Sequence, residues 1–216
     1  MEPKALEEQV AEIFERKKAR ALDERALRTL FLEARSANRF SPRPIPRKLL
    51  ERALELAELG PTSFNTVPMR VVFVESHEAK ERLRPLLSPG NVDKTFSAPV
   101  TAIIAADLQF FEHLPKLRPD RPNARDRFAD PESVESTRQF AITNATLQGA
   151  YFMLAARALG LDCGPMGGFD HAKTDEAFFP DGRFKSILLC ALGYADDEQT
   201  RPRDPRLPID EIARFA

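Results

Sequence analysis

The stretch Cys163-Gly164-Pro165-Met166-Gly167-Gly168-Phe169-Asp170 carries three of the nine glycines in a chain of 216 residues. Gly167 and Gly168 lack a Cβ, so their backbone can take unusual angles and approach a flat ligand closely. N–H groups laid bare in that way need acceptors, and a ring with nitrogen and oxygen atoms offers them. The plainer reading of the same residues is a helix stop at Gly160 and a Pro/Gly turn into the next element. Three more segments concentrate polar groups: Arg35-Ser36-Ala37-Asn38-Arg39-Phe40, the loop from Gly60 to Pro68, and the basic tail from Arg201 to Pro208. Together they suit a ligand with a polar ring at one end and a phosphate at the other. Structural alternatives exist for each: Arg35 pairs with a glutamate, Ser36 and Asn65 cap helices, and Arg206 is solvated.

Side chains that catalyse on their own are scarce. His77, His113 and His171 sit in polar contexts without metal-ligand spacing. The chain has no H-E-x-x-H, C-x-x-C, G-x-S-x-G or P-loop motif, and the glycines near 167 do not follow the dinucleotide pattern. An enzyme made of these residues needs a cofactor to carry the reaction. Cys163 and Cys190, the two cysteines, fit a reduced compartment, with Cys163 a small buried thiol.

The elements that must position these loops follow from periodicity. Glu2 to Arg35 reads as a charged, then amphipathic, helix, and the run Leu49, Leu50, Ala53, Leu54, Ala57 predicts a second helix that starts at Pro46. Strands are expected over Arg70–Glu75, Pro99–Ala106 and Ser186–Gly193, with a short helix over Ala79–Leu87. The segment Asp107–Glu135 holds Phe110, Phe111 and Phe128 with Arg118, Arg121, Arg125 and Arg127. Its weak periodicity reads either as a lid or as a solvated connector with a short helix. Ser136–Gly160 is the longest helix and is apolar on nearly every side, so it must be buried in a core or between two subunits.

Composition bounds the rest. Apolar residues make up 43% and charged residues 30%, which describes a globular protein. A net charge of −1 gives no global field for nucleic acid or anionic lipid. Met1–Arg20 has no uncharged core of a signal peptide, and the longest apolar run is far too short to span a bilayer, so a cytoplasmic protein is expected. The length fits one domain over residues 1–216, with 1–33 as an N-terminal extension.

The loops from Arg35 to Phe40, Gly60 to Pro68, Pro165 to Asp170 and Pro205 to Pro208 fall in the order and spacing of the FMN-dependent nitroreductase family, which the chain resembles from about Ala34 onward. Gly60-Pro61-Thr62-Ser63-Phe64-Asn65, Gly90-Asn91 with Lys94-Thr95, the run from Ala98 to Ile103, Gly160-Leu161-Asp162 and Gly168-Phe169-Asp170 carry a closer likeness to its malonic semialdehyde reductases of pyrimidine catabolism. The resemblance implies an α+β fold with a mainly antiparallel central sheet flanked by helices, and a homodimer with FMN at its interface. It implies cofactor contacts from Arg35, Ser36, Asn38, Asn65, Pro165, Met166, Gly167, Gly168, Arg203 and Arg206. Asn38 stands where many members carry Arg or Lys, and Gly167 where many carry Glu. No side chain is expected to act as the catalyst, because hydride passes through flavin N5; no metal is implied. Ser63, Phe64, Arg118, Arg121 and Arg125 are the substrate-side candidates. NADPH or NADH is the implied reductant, and malonic semialdehyde the leading substrate. A broad nitro-compound or quinone reductase and a flavin-binding protein without turnover remain the alternatives.

Overall fold

The computed structural model describes residues 21–196 and 201–216, and it divides into two compact units, Met1–Ala34 and Arg35–Ala216. In the first, Asp23 accepts from the Ala26 N–H at 2.7 Å and so caps α1 (Glu24–Leu27), which widens into a π-type turn over Arg28–Leu32. The helix expected from Glu2 to Arg35 is therefore short where it is described, and its first nineteen or so positions lie outside the described residues.

The second unit is built on four strands, β1 (Met69–Val74), β2 (Val100–Asp107), β3 (Asp162–Met166) and β4 (Phe184–Gly193). Their order is β1-β2-β4-β3, and every pairing is antiparallel, as expected for an α+β fold with an antiparallel sheet. Around them lie α2 (Arg47–Ala57), α3 (His77–Leu83), α4 (Val92–Ser97), α5 (Leu114–Leu117), α6 (Ala124–Ala129), α7 (Val134–Ala158), α8 (His171–Phe178) and α9 (Ile209–Ile212). Every residue of β2 is buried, which accounts for its near-continuous apolar run.

Each face of the sheet has its own core. α2 presents Leu50, Ala53 and Ala57 at helical spacing, and they join Ile104, Phe152 and Ala156 on one face. Gly149 keeps α7 close to the strands, since a Cβ there would already touch Ile104 at 3.5 Å. On the other face Leu83, Ile103, Leu189, Met166 and Phe179 pack together.

Two expectations change. The residues after Gly160 are not a plain turn: Asp162–Met166 pairs with β4 as an edge strand. Pro165 is tolerated there because an edge position does not require its missing N–H. The segment 107–135 is also more ordered than its weak periodicity implies, with two short helices and with Phe110 and Phe128 buried in the core. Its start is fixed by Asp107, which is fully buried. That carboxylate accepts two bonds from Arg183 at 2.7 Å, one from Arg70 at 2.8 Å and one from the Gln109 N–H at 2.9 Å. Among the described residues no helix is long and apolar enough to cross a membrane.

Candidate functional site

The end of β3 and the turn after it gather three other segments. Ser36 bridges Cys163 in parallel, and the Ala37 N–H donates to the Cys163 carbonyl at 2.9 Å. The loop from Arg35 to Phe40 thereby touches β3 through one isolated bridge. Its approach requires glycine at 164, because a Cβ there would lie 2.5 Å from the Ala37 carbonyl oxygen. From the other side comes the turn before α4. The Gly168 carbonyl accepts from the Ser88 N–H at 3.0 Å and from Asn91 Nδ2 at 2.8 Å. The Asp170 N–H then donates to Leu86, and the Asp170 carboxylate caps α8 through the Lys173 N–H. That bond, with a second from the Lys173 side chain, holds the Asp170 carboxyl below its ordinary pKa.

Between these supports lies an open spot. A Cβ on Gly167 would meet nothing within 4 Å. Neither Gly167 nor Gly168 gives its N–H to another described residue, but only Gly167 is open: a Cβ on Gly168 would lie 2.9 Å from Ser88 Oγ and 3.0 Å from Asn91 Nδ2. Met166, by contrast, turns its side chain into the core, where it is 3% exposed, and Pro165 lies in the strand. Those two residues can offer a ligand little beyond their backbone.

Lys94, on α4, was given no role from sequence, yet it reaches this place. Its Cδ lies 3.0 Å from the point a Gly164 Cβ would occupy, beside Ala37 and Phe40. Burial lowers its pKa from the ordinary lysine value. No hydrogen bond occupies its ammonium among the described residues. The signal in the sequence was its three-residue spacing from Asn91, which on a helix puts both on one side.

Cations collect at the tail. Arg203 has its pKa lowered first by loss of solvent and then by repulsion from Arg35, Arg206 and Arg157. Arg206 itself bonds the carbonyls of Asp204 and Pro205 at 2.8 and 3.1 Å. Arg35, Arg206 and Arg157, from separate parts of the sequence, thus act on Arg203 as like charges. A shared anion would relieve their repulsion.

The loop from Gly60 to Pro68 forms a separate group. Phe64, Asn65 and Val67 all take positive φ (58°, 54° and 42°), a strained state for side chains with a Cβ. Buried Asn144 holds the loop by accepting from the Ser63 N–H at 2.7 Å, and Asn65 Nδ2 donates to the Leu117 carbonyl at 3.2 Å. Phe64 carries the guanidiniums of Arg121 and Arg127 at 5.6 and 5.4 Å from its ring centroid. Arg118 and Arg125 are instead forked onto Asp120 and Glu112. This loop enters β1, whereas the glycine turn leaves β3, and those are the two edges of the sheet. Three strand spacings, about 14 Å, separate them.

Cys163 and Cys190 are both fully buried free thiols, and the neighbouring Cys163 together with burial raises the Cys190 pKa. They are packing groups, without the exposed, electropositive setting of a reactive cysteine. His113 is half exposed beside the Asp107 anchor, and His171 bonds the Ser186 carbonyl through Nδ1 at 2.9 Å.

The strained polar loop at one sheet edge, and the glycine turn and the arginines at the other, are the candidate positions for a ligand. Comparison with known proteins assigns a family: residues 32–194 match the nitroreductase family model, and the chain belongs to the nitroreductase family. A Stenotrophomonas maltophilia (strain K279a) protein named as an NADH dehydrogenase/NAD(P)H nitroreductase is 53% identical over 91% of this chain and 98% of its own. A Bacillus subtilis structure named as a nitroreductase is 27% identical, covering 87% of this chain and 97% of its own with a TM-score of 0.75. A Staphylococcus epidermidis structure named as an NAD(P)H:FMN oxidoreductase is 25% identical, covering 87% and 94%, with a TM-score of 0.77.

Proposed function

We propose that the chain is an FMN-dependent oxidoreductase that uses NADPH or NADH to reduce a short substrate, with malonic semialdehyde, giving 3-hydroxypropionate, as the leading case. The Gly167–Gly168 turn, open at Gly167 and with two N–H groups that no described residue accepts, carries this reading. Those donors suit ring acceptors, and Arg35, Arg203 and Arg206 suit the phosphate. Ser36 and Asn38 face the ring edge without a basic side chain between them, and Lys94 supplies the cation there. Bound in the cradle, the flavin would supply the two-electron chemistry that no side chain here can. In the net reaction NAD(P)H gives a hydride to the aldehyde carbon and water gives a proton to its oxygen.

The 14 Å between the sheet edges gives the dimer a function. Within one chain the loop from Ser63 to Asn65 is far from the cradle, so a second copy must bring its own loop to the ring. The face around that loop is apolar and exposed, with Leu59 77%, Leu147 48% and Tyr151 42% accessible.

The relatives' names favour a second reading, a nitro-compound or quinone reductase of broad range. Denaturing the purified protein and weighing the released ligand tests the flavin; absence of FMN removes both readings. Rates of nicotinamide oxidation with semialdehydes, quinones and nitroarenes then separate them. A catalytic efficiency for malonic semialdehyde below that for quinones removes the first.

A further inference from the structure

Among the described residues, Arg127 is the arginine of the 107–135 segment with no carboxylate partner. Arg118 forks onto Asp120 at 2.9 and 2.7 Å, Arg125 forks onto Glu112 at 3.0 and 2.7 Å, and Arg121 lies 3.8 Å from Asp120. No carboxylate among the described residues lies within ion-pair distance of Arg127. Its guanidinium sits instead 5.4 Å from the Phe64 ring centroid and 5.8 Å from that of Phe128. A guanidinium beside aromatic rings keeps its in-plane donors available for a planar, two-oxygen partner.

Next to it opens a cavity of about 210 Å³, lined by Arg127, Phe128, Ser133, Ser136, Thr137 and Phe140. At about 30 Å³ per water, that is room for roughly seven waters, or for an acid of a few carbons. The hydroxyls do not all count as donors. Ser136 gives its proton to the Ser133 carbonyl at 2.9 Å and Thr137 to the Phe128 carbonyl at 3.2 Å. Arg127 and the Ser133 hydroxyl, which caps nothing, are the donors that remain. One cation, one hydroxyl and two phenyl walls describe a receptor for a small carboxylate on a short stem.

We propose that Arg127 selects the second substrate by holding its carboxylate in this cavity, so that acids with a reducible carbonyl are preferred to neutral acceptors. The inference rests on the function proposed above, in which the strained Ser63–Asn65 loop reaches the flavin of a second copy. Phe64 belongs to that loop and lies against Arg127. The arginine is therefore presented to the partner's cradle, with the carbonyl end of the acid left to point at the ring. From sequence any of Arg118, Arg121, Arg125 and Arg127 could serve this task; Arg118 and Arg125 are occupied by their own carboxylates.

The test compares malonic semialdehyde with p-benzoquinone, each with excess nicotinamide, in the flavin-loaded wild type, Arg127→Ala, Arg127→Lys and Arg125→Ala. The expected result is a ratio of kcat/KM, semialdehyde over quinone, that falls about tenfold to hundredfold in Arg127→Ala, as loss of a charge-assisted bond implies. The loss should appear in KM, with partial recovery in Arg127→Lys and a wild-type ratio in Arg125→Ala. An unchanged ratio in Arg127→Ala overturns the proposal, as does a loss confined to reduction by NADPH, which would assign Arg127 to the 2′-phosphate. Malonate supplies a readout that needs no turnover. It should raise the melting temperature of wild type and not of Arg127→Ala, and an equal rise in both overturns the proposal even if the chain proves to hold no flavin.

Discussion

Gly164 and Gly167 look alike in sequence and do opposite things. The space a Cβ would need at Gly164 is taken by the Ala37 backbone oxygen at 2.5 Å, which cannot swing away as a side chain would. Gly164→Ala should push the Ala37 loop off β3, costing about 1–3 kcal/mol as overpacking does, and should lose flavin with it. Gly167→Ala meets open space and should keep the melting temperature of wild type. Calorimetry on the pair decides whether the cradle needs its backbone contact or only its small residues. Lys94 makes a second, pH-dependent claim. Burial lowers its pKa, and the acceptor atoms of a bound ring edge favour its charged form, so binding should raise that pKa again. Flavin affinity should then be flat below the lowered pKa of the free protein. It should weaken as pH rises from there toward the ordinary lysine range, because the unbound protein has already lost the proton. Titrating the dissociation constant against pH in wild type and Lys94→Met checks the sign; a slope that survives in Lys94→Met belongs to another group.

The Asp107 anchor shows what one buried charge does for a segment that periodicity described poorly. With Arg183 and Arg70 on its oxygens, it ties the end of β2 to the start of the 107–135 stretch and to β4. Removing it leaves two half-buried guanidiniums facing each other. Asp107→Ala should therefore cost about 3 kcal/mol, roughly 6–12 °C in melting temperature for a domain this size. A shift under 2 °C would mean that the arginines find other partners. Why the sequence hid this order is clear from the residues: Phe110 and Phe128 enter the core from turns too short to show a repeat. β3 was hidden for a related reason. Its residues, Asp-Cys-Gly-Pro-Met, contain two strand-breaking types, and they pair with β4 alone, with one bridge from Ser36 on the outer side. β2 and α7, by contrast, are long and patterned and were visible from sequence alone. Of the candidate site, the glycine pair and the arginines were named from sequence, since special backbone and clustered charge leave a mark on composition. Lys94 was marked there only by its spacing from Asn91 and Arg127 only as one of four arginines in its segment; what singles each out, the lack of a bonded or paired anion among the described residues, is a property of the fold.

The arrangement of the chain as a whole leaves apolar surface that a lone copy does not cover. Leu147 and Tyr151, one turn apart on α7, are exposed, and Tyr151 packs its ring against the Gly60 position, so the face leads directly to the strained loop. The tail adds Leu207, Ile209, Ile212 and Phe215, between 62% and 95% exposed. A two-fold axis through such a face would pair α7 with its copy, since an isologous contact uses the same patch twice. The same axis would carry each Ser63–Asn65 loop toward the other copy's cradle. Dimer formation and flavin retention then become one event. Leu147→Glu tests this, because the side chain is half exposed in the single chain and glutamate suits a helix, so the fold itself should survive. Light scattering should find wild type at twice the chain mass and the variant at the chain mass, with helical circular dichroism kept and the yellow colour lost. A Leu147→Glu protein that remains a flavin-loaded dimer would move the interface to another face. One that becomes a monomer and keeps its flavin would show that a single chain completes the site, and would separate the Ser63–Asn65 loop from the ring.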